Sequence, residues 1–520
     1  MTGSSPAHRT STFRLFAPKL LTLVTALTTA IAAAAPQAAA PQPASPITEE
    51  QLHELAAAGG NHTLPAGVIT LTRPLAVSAD LVLTGAGPLD TTIQYLGAGT
   101  AVRVEGGATL ELWDLRIDAA TPHADAPGTD LIQVLDGDLM LDSVYLSNAR
   151  NDAPDDLKRY GYGSGLYVTG TSSATVILSM FQFNGLVSIE GNEGATITVQ
   201  DSMFDRNIHG VYVEDGVTLT ITGTEFVDTV ETAVNGRGDV TATLTHNTFT
   251  RTGIDPATGQ GTFDALRFGD ATRVTLVSNH VDGSPRYALS LFGSAEVRAE
   301  GNLYTGNGGH DQEINLFRSP ILQEDASRYV GSGDQFVENP GGAFELEGEA
   351  SILLDHATFR NNASYATGWV GGSAGAVLVD ATFDGNEGGL WLVSEATLVL
   401  ERGSFTATGR DAVDARGYSR VTVIDTRFAD NQGAGVYVSE QAGATVRGGS
   451  FEGNLAGAVA SGSATMEVAG GSFTRNQGAG VLYLGDSSGS VTASVFEGNG
   501  GLALDLRSTA AVAVEANEER

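Results

Sequence analysis

The sequence has no cysteine and almost no lysine. Without cysteine no disulfide can hold the fold together, so the chain must depend on a large and continuous apolar core. The only lysines are Lys19 and Lys158, and 61 acidic residues outnumber 28 basic ones, which gives a formal net charge of −33. Nucleic-acid binding needs clustered cations, and docking on an anionic membrane needs a polybasic segment. We therefore expect neither nucleic acid nor an anionic membrane as a partner.

A long apolar run is also missing. The run at 20–35 is shorter than the roughly 20 residues that a membrane-spanning helix needs. It follows Arg9, Arg14 and Lys19 and precedes several small residues, which is the pattern of a secretion signal. We expect residues 1–40 to be a signal peptide and the mature chain, without a transmembrane segment, to be secreted to a periplasm, the cell surface or the medium.

Amphipathic helical runs are absent after residue 58, and a short motif recurs instead. It is an aromatic residue followed three positions later by asparagine, as in Phe204 and Asn207. Asparagine follows 11 of the 15 positions of the aromatic column, and 11 of the 14 intervals are 22–24 residues long. The column comprises Tyr145, Phe181, Phe204, Phe226, Phe249, Val281, Tyr304, Phe336, Phe359, Phe383, Phe405, Phe428, Phe451, Phe473 and Phe496.

A repeat of this length predicts a stacked coil of short β-strands. Each unit contains β-rich runs such as 211–213 and 218–222, separated by Gly, Asn and Asp. One unit cannot bury an apolar face by itself, whereas stacked units form a continuous core. Each residue then lies about 4.8 Å above its counterpart in the coil below. Aromatic rings should fill one inner corner and asparagines should form a hydrogen-bonded ladder, so both columns are predicted to be structural.

Thr48 followed by Glu49, Glu50 and Gln51 is a typical helix start and predicts a short helix that covers the open end of the coil. The expected fold class is all-β, a single-stranded right-handed parallel β-helix of roughly 16–18 coils with this short N-terminal capping helix. The expected organisation is a signal peptide at 1–40, a linker and helical cap at 41–63, the β-helix at 64–506, and an acidic C-terminal tail at 507–520.

Three sequence features together resemble the pectin-lyase-like superfamily of right-handed parallel β-helix proteins. They are the LPAG segment at 64–67 after the helix, the GAG turn at 85–87 before a TTI run, and coils of the form S-x-F-x-x-N-x-x-G-V-Y-V, as at 202–213. The resemblance covers residues 48–506. It implies the fold, and it implies functions as different as those of pectate lyases, polygalacturonases, alginate epimerases, phage tailspike glycosidases and surface proteins without activity.

Insertions interrupt the repeat at few places. Three of them, at 119–129, 149–163 and 253–262, fall between the asparagine column and the following strand. We expect these three to emerge from one edge of the coil and to form the walls of a groove. A fourth, within 318–333, is expected on the adjacent face. From Phe336 onward insertions are almost absent, and this half is predicted to be a plain stalk.

The strand that follows this edge should carry an outward-facing column of side chains, because side chains alternate along a strand. Tyrosine can stack on sugar rings, while arginine and asparagine bind carboxylates or hydroxyls. The predicted column is Gln133, Tyr167, Ser188, Tyr212, Asn235, Arg267, Ser290, Asn315 and Glu345. The predicted substrate-binding residues on the column, its flanks and the insertions are Tyr160, Tyr162, Lys158, Tyr167, His209, Tyr212, Asn235 and Asp255.

Catalysis would need particular groups in this cluster. A calcium-dependent lyase needs an Arg or Lys base, and it needs carboxylates that hold Ca²⁺ against the uronate. The candidate catalytic residues are therefore Arg267, Asp264 and Glu231. Glu231 and Asp264 are the candidate calcium ligands. An inverting glycosidase needs two carboxyls about 6.5–9.5 Å apart. The motifs of polygalacturonases and pectate lyases are absent, and the 9 histidines show no zinc-site spacing. The candidate carboxyls for a glycosidase are Asp155, Asp156, Asp255 and Asp264.

Two functions therefore stay open. The first is a secreted protein that binds an extracellular polysaccharide or cell-surface glycan along the face of residues 119–270. If this protein is an enzyme, it cleaves or epimerises that polymer. The second is a non-catalytic structural or adhesive solenoid that acts as a rigid spacer. The clustered insertions favour the first and the plain C-terminal half favours the second. The repeat itself specifies neither the polymer nor an oligomeric state.

Overall fold

The computed structural model describes residues 47–119, 128–151, 163–254, 259, 261, 263–311 and 316–520. The predicted signal peptide lies outside the described residues. Residues 45–520 form one compact unit. Within the described part of the chain, no helix has the length and apolar character required to span a membrane.

A short helix, Glu49–Ala58, precedes the coils. Thr48 caps it: the Thr48 hydroxyl accepts a hydrogen bond from the backbone of Gln51, and the Gln51 side chain accepts one from the backbone of Thr48. The helix buries Leu52 against the core of the first coil. The predicted N-terminal cap is therefore confirmed, and it is formed by a capping box.

Three parallel sheets form the sides of the coil. Sheet 1 has 19 strands, which are Gly60–Thr63, Leu81–Thr84, Ala108–Trp113, Gly137–Asp142, Ser173–Ile177, Thr196–Gln200, Thr218–Thr222, Thr241–Thr245, Arg273–Val277, Glu296–Glu300, Arg328–Ser332, Ser351–Asp355, Gly375–Val379, Thr397–Glu401, Arg420–Ile424, Gly443–Arg447, Thr465–Ala469, Ser488–Thr492 and Val512–Glu515.

Sheet 2 carries the aromatic column. Its strands are Gly67–Leu71, Thr91–Tyr95, Arg116–Asp118, Tyr145–Ser147, Met180–Gln182, Met203–Asp205, Glu225–Val227, Thr248–Thr250, His280–Asp282, Leu303–Thr305, Gln335–Val337, Thr358–Arg360, Thr382–Asp384, Ser404–Thr406, Arg427–Ala429, Ser450–Glu452, Ser472–Thr474, Val495–Glu497 and Glu518–Glu519.

Sheet 3 carries the predicted outward column. Its parallel strands are Leu75–Val77, Gly99–Val104, Gly128–Val134, Leu166–Val168, Val187–Gly191, His209–Glu214, Val234–Arg237, Leu266–Phe268, Leu289–Leu291, Ile321–Gln323, Phe344–Leu346, Gly368–Val370, Leu390–Leu392, Val413–Ala415, Ala434–Val438, Ala456–Ala460, Val481–Gly485 and Leu504–Ser508. Three short strands lie beside it, Arg150–Asn151, Gly309–Asp311 and Leu316–Arg318.

The aromatic column stacks inside the coil, as predicted. Phe181 and Phe204 have ring centroids 4.8 Å apart and planes 2° from parallel, and the same contact recurs as far as Phe473 and Phe496, at 5.1 Å. The upstream end of the predicted column is wrong by one residue. Leu146, not Tyr145, lies in register with Phe181 and is buried, because the insertion between these coils hides the count.

The asparagine column forms the expected buried ladder. Oδ1 of Asn454 accepts hydrogen bonds from the backbone N–H and the Nδ2 of Asn431, at 3.1 and 2.7 Å. Its own Nδ2 donates to the carbonyl of Phe428 and to Oδ1 of Asn476, both at 3.1 Å. Each amide thus satisfies backbone groups of the turn and binds the coil below to the coil above, which confirms that the asparagines are structural.

A second ladder runs at the corner between sheets 1 and 2. Asn247 and Asn279 each donate through Nδ2 to Oδ1 of the next member, at 3.0 and 3.1 Å, and the series ends on Asn302 and the buried Asp334. The sequence analysis did not separate this ladder from the first, because its upper members are Ser179, Ser202 and Thr224 rather than asparagine.

The coils extend beyond the expected boundaries. Gly60–Thr63, expected in the cap, already pairs with Leu81–Thr84. At the other end Val512–Glu515 and Glu518–Glu519 continue sheets 1 and 2 through the segment expected to be a tail. The aromatic motif does not recur there, but these residues still pair with the preceding coil. Sheets 1 and 2 therefore have 19 strands each, and the coil has about 19 turns and not 16–18.

Replacing Asn454 by Ala should lower the free energy of unfolding by on the order of 3 kcal/mol, because two buried backbone groups and two neighbouring amides lose partners together. Ser450→Ala, a half-exposed position of the same coil, is the control. Urea unfolding followed by circular dichroism measures both variants. Equal midpoints for the two would contradict a structural role for the ladder.

Candidate functional site

All four long insertions lie at the corner between sheets 2 and 3. The fourth was expected on the adjacent face, and this is wrong: it occupies 308–320 and contains an antiparallel pair of strands, Gly309–Asp311 with Leu316–Arg318. The register was misjudged because the insertion precedes, rather than follows, the sheet 3 strand of its coil. The insertions follow the strands Arg116–Asp118, Tyr145–Ser147, Thr248–Thr250 and Leu303–Thr305, and each precedes a strand of sheet 3.

At this corner, residues at the ends of the insertions form antiparallel backbone pairs. Arg150–Asn151 pairs antiparallel with Gly128 and Thr129, and Ile254 forms an antiparallel bridge with Gly261. Their central residues at 120–127, 152–162, 255–258, 260, 262 and 312–315 lie outside the described residues. The roots of the insertions therefore border the outer face of sheet 3 in four coils.

The outer face of sheet 3 carries one column of side chains, with two differences from the prediction. Glu190 lies between Tyr167 and Tyr212, whereas Ser188 is buried. Leu322 follows Ser290, and Asn315 lies outside the described residues. Both errors come from unequal loop lengths ahead of the strand. The column, which we call the sheet 3 column, runs Gln133, Tyr167, Glu190, Tyr212, Asn235, Arg267, Ser290, Leu322 and Glu345.

Two carboxyls of sheet 3, the buried Asp130 and the half-buried Glu190, bind Gly163 and Ser164 ahead of the strand Leu166–Val168. Oδ1 of Asp130 accepts hydrogen bonds from the backbone N–H groups of Gly163 and Ser164, both at 2.8 Å. Oε2 of Glu190 accepts one from the hydroxyl of Ser164 at 2.7 Å. Burial raises the pKa of both carboxyls, and for Glu190 the charges of Asp130 and Glu214 raise the pKa further. These contacts hold Gly163 and Ser164 against sheet 3.

His209 and Glu231 lie in close contact at the edge of the face. Nε2 of His209 lies 2.7 Å from Oε2 of Glu231, and the His209 ring contacts Phe263 edge-on, with centroids 6.5 Å apart. Nδ1 of His209 is shielded from solvent and has no hydrogen-bond partner in the described part of the chain. Such a nitrogen calls for a water or a ligand group as its partner.

Tyr167 and Tyr212 are half-buried and present their rings on the column. The Tyr212 hydroxyl donates to Oε2 of Glu214 at 2.8 Å, and burial with this partner raises the pKa of Tyr212 to about 12. Asn192 donates to the Tyr167 hydroxyl at 3.3 Å. Asn235, predicted to bind substrate, lies in register between Tyr212 and Arg267, and its buried Oδ1 has no partner among the described residues.

Three arginines surround one buried carboxylate, Asp264, and we call them the arginine group. Oδ1 of Asp264 lies 3.5 Å from Nε of Arg286, and Oδ2 lies 4.0 Å from Arg267. The hydroxyl of Ser290 donates to Oδ2 at 2.7 Å. Burial raises the pKa of Asp264, while Arg286, Arg267 and Arg318 lower it. Three guanidinium groups thus gather around one buried carboxylate on an otherwise acidic chain.

The arginine group continues toward Glu345. Arg318 donates to the hydroxyl of the buried Tyr287 at 2.7 Å, and burial raises the pKa of Tyr287 to about 12. Burial, with the nearby charges of Glu347 and Glu324, raises the pKa of Glu345 to about 7, although Arg318 lowers it. Glu345 is therefore a carboxyl that changes charge near neutral pH.

The structure thus separates the three predicted catalytic residues into two groups. Arg267 and Asp264 belong to the arginine group, whereas Glu231 is paired with His209. Three guanidinium groups already act on the Asp264 carboxylate, and this weighs against a calcium ion at that position. Four predicted substrate-binding residues, Lys158, Tyr160, Tyr162 and Asp255, lie outside the described residues, as do Asp155 and Asp156.

Three side chains of the types that can bind a metal ion lie together elsewhere in the described part of the chain. Asp355, His356 and Asp380 bring ligand atoms within 4.8 Å of one another near the corner between sheets 1 and 2. Arg402 already donates to both oxygens of Asp380, at 2.9 Å each, so this group has its own counter-ion. The two residues predicted to hold calcium, Glu231 and Asp264, are not among them.

Sequence analysis missed Arg286, Arg318 and Tyr287 as site residues. Arg286 and Tyr287 precede the strand Leu289–Leu291, and Arg318 ends the hairpin of the fourth insertion. The sequence did contain a signal for the arginine group, because three arginines near one corner of consecutive coils are unusual in a chain with a net charge of −33. To recognise that Arg318 belongs to this corner, the fourth insertion had to be placed correctly.

Glu345→Gln should make the protein more resistant to unfolding above pH 7 and leave it nearly unchanged below pH 4.5. A raised carboxyl pKa means that the fold favours the protonated form, so stability is lost as pH rises from 4.5 to about 7. The gain at high pH should be on the order of 2 kcal/mol. Thermal unfolding at both pH values measures it, with the exposed Glu349→Gln as control. A pH-independent difference would contradict the raised pKa.

Comparison with known proteins agrees with the fold. Residues 397–518 match a family model described as "Right handed beta helix region". A search of curated protein sequences finds no match. The α-1,3-glucanase catalytic unit of family GH87 from Streptomyces thermodiastaticus strain HF3-3 is similar, with 13% identity, a TM-score of 0.41, and coverage of 70% of this chain and 69% of that one.

Two further solved structures are similar at the same level. A mutant of the periplasmic alginate epimerase AlgG has 10% identity and a TM-score of 0.40, covering 66% of this chain and 84% of that one. The pre-mature gene product 12 of bacteriophage phi29 has 12% identity and a TM-score of 0.37, covering 88% and 71%. With its three parallel sheets, inner ladders and matching family model, the chain is a right-handed parallel β-helix protein, as the resemblance to the pectin-lyase-like superfamily implies.

Proposed function

We propose that this is a secreted protein that binds a carboxylate-bearing extracellular polysaccharide on the outer face of sheet 3, between Gln133 and Glu345. The observation that carries the proposal is the arginine group: Arg267, Arg286 and Arg318 act on one carboxylate in a chain with a net charge of −33. An acidic polymer would be repelled by most of this surface, so a face where several guanidinium groups gather is the place where its carboxylates can bind.

The surroundings of the arginine group suit a sugar chain. Tyr167 and Tyr212 present half-buried rings on the same column, where pyranose rings can stack. Arg267 is about one-third exposed, with a side-chain exposure of 34%, and its guanidinium carbon lies 5.0 Å from the centroid of the Phe292 ring. A guanidinium held against an aromatic ring is pre-oriented for a bidentate contact with a carboxylate.

Cleavage or epimerisation of the bound uronate is the second candidate, and Glu345 favours it. A carboxyl whose pKa is about 7 can take up and release a proton near neutral pH, and it lies beside Tyr287 and Arg318. Arg267, Asp264 and Glu231 stay the candidate residues for such a reaction. The non-catalytic structural or adhesive role is the outcome if no polymer binds.

Polygalacturonate and alginate should bind to the intact protein, with an affinity that falls as salt is added, because the contact is ionic and partly exposed. Arg267→Ala should weaken binding about ten-fold or more, since it removes a charge-assisted contact. Isothermal titration calorimetry measures the affinity. The matched control is Arg273→Ala, an exposed arginine of sheet 1 in the same coil.

Two results would count against the proposal. One is the absence of binding to any acidic polymer, and the other is equal binding by the Arg267→Ala and Arg273→Ala proteins. Incubation with the same polymers, with calcium and with a chelator, followed by ultraviolet absorbance of unsaturated uronate ends, tests a lyase separately. Binding without new ends or epimerised residues would leave a binding protein.

A further inference from the structure

The C-terminal half was predicted to be a plain stalk, yet its sheet 3 surface is aromatic. Trp369 and Trp391 are in register on adjacent coils, directly after Glu345, and Tyr437 follows two coils later. The sequence has three tryptophans, so two of them stand next to each other here. In these coils, all of which the structure describes, the outward positions of sheets 1 and 2 carry no aromatic residue.

The benzo ring of Trp369 packs closely against Gly371. Atoms of this ring are 2.2–2.8 Å from the place where a Cβ at Gly371 would stand, so the ring covers the Cα of that glycine. Trp369 is half-buried, which fits an indole with one face on the protein and the other turned outward. Gly371 does not have a positive φ, so its lack of a side chain serves this close approach rather than a turn.

Polar and aromatic groups enclose the second tryptophan. The ring of Tyr365 meets Trp391 edge-on, with centroids 5.2 Å apart, and the guanidinium of Arg410 lies 4.1 Å from the centroid of Tyr365. The guanidinium of Arg416 lies 5.7 Å from the Trp391 centroid and donates to both oxygens of Asp414, at 3.0 and 2.7 Å.

We infer that Trp369 and Trp391, with Tyr365 and the Arg416–Asp414 pair, form a second carbohydrate-binding site that takes neutral pyranose rings. Flat aromatic faces pack against the apolar face of a sugar, and a paired guanidinium and carboxylate beside them offer donors and acceptors to its hydroxyls. Because Arg416 is already neutralised by Asp414, this site differs from the arginine group, which suits a carboxylate.

The size of the surface favours a sugar over a second protein. The half-buried Trp369 and Trp391 and the exposed Tyr365 together expose on the order of 300 Å², whereas a stable protein interface buries about 800 Å² on each partner. Arg410 and Arg416 border the rings, and along the column Asp414 separates the two tryptophans from the next apolar side chains, Tyr437, Val459 and Leu482.

Tryptophan fluorescence can test this site without touching the arginine group. Trp113 lies on sheet 1, where its Nε1 donates to Glu111 at 3.2 Å, and Trp113→Phe leaves only the two tryptophans of the proposed site. In that background, cellohexaose, laminarihexaose and mannohexaose are titrated, with hexagalacturonate as the charged comparison. At least one neutral hexasaccharide should shift or quench the emission.

Two variants and one control then locate the binding. Trp391→Ala should weaken it roughly ten-fold, by removal of a stacking surface, and calorimetry serves as the readout where fluorescence is lost. Gly371→Ala should also weaken it, because the new methyl group must displace the Trp369 ring while both tryptophans stay present. Tyr418→Ala removes an aromatic side chain that is 58% exposed in a turn beyond sheet 3, and it should change nothing.

The proposal is overturned if none of the neutral hexasaccharides binds, if only hexagalacturonate changes the emission, or if Trp391→Ala and Gly371→Ala bind as well as Tyr418→Ala. It is also overturned if light scattering shows a dimer that Trp391→Ala dissociates, since the occupant is then a second copy of the chain. Thermal unfolding of each variant confirms that the fold is kept. Failure here leaves the arginine group untouched, because Arg267→Ala and polygalacturonate test that site alone.

Discussion

The structure depends on one constraint, that each coil lies in register over the coil below it. Parallel ladder hydrogen bonds fix the spacing, and the asparagine side chains make the register specific, because an amide such as that of Asn454 fits only when its partners in both neighbouring coils are in place. A shift by one residue would turn Phe451 outward and bury a polar neighbour. The strands that carry the inner columns therefore tolerate almost no insertion or deletion.

Length can change only at the corners, and here the long insertions all use the corner between sheets 2 and 3. Their roots border the sheet 3 column. Burial raises the pKa of four carboxyls on or beside this face, Asp130, Glu190, Asp264 and Glu345. A face that differs from the rest of the coil thus arises from the same rule that keeps the other faces regular.

The fold was predictable because the Phe and Asn columns recur with the same period, and the stacking of coils explains both columns. The site was predictable in part: Tyr212, Asn235, Arg267 and Glu345 stand where simple alternation places them. Register was lost at Tyr145, before the second insertion, and at Ser188, one coil after it, because a count along the sequence cannot tell loop residues from strand residues. Gln133, Tyr167 and Arg267, which directly follow insertions, were nevertheless placed correctly.

Contacts across coils were harder to predict. Arg286 and Arg318 reach Asp264 from different coils, and Arg318 does so from an insertion whose corner was misjudged. Trp369 and Trp391 were overlooked for another reason. Regular coils were taken to mean an inert surface, although an outward column can bind a ligand whether or not loops flank it.

The two proposed sites are aligned by the same register that builds the core. From Arg267 the column passes Ser290, Leu322 and Glu345 before it reaches Trp369, four coils or about 19 Å along the axis. A polysaccharide that lies along this column would meet the arginine group first and then the two tryptophans. Because both sites are fixed on one rigid sheet, the second contact follows the first without further ordering of the protein, so two weak contacts combine into firm binding. A polymer that alternates acidic and neutral sugars would use this arrangement best.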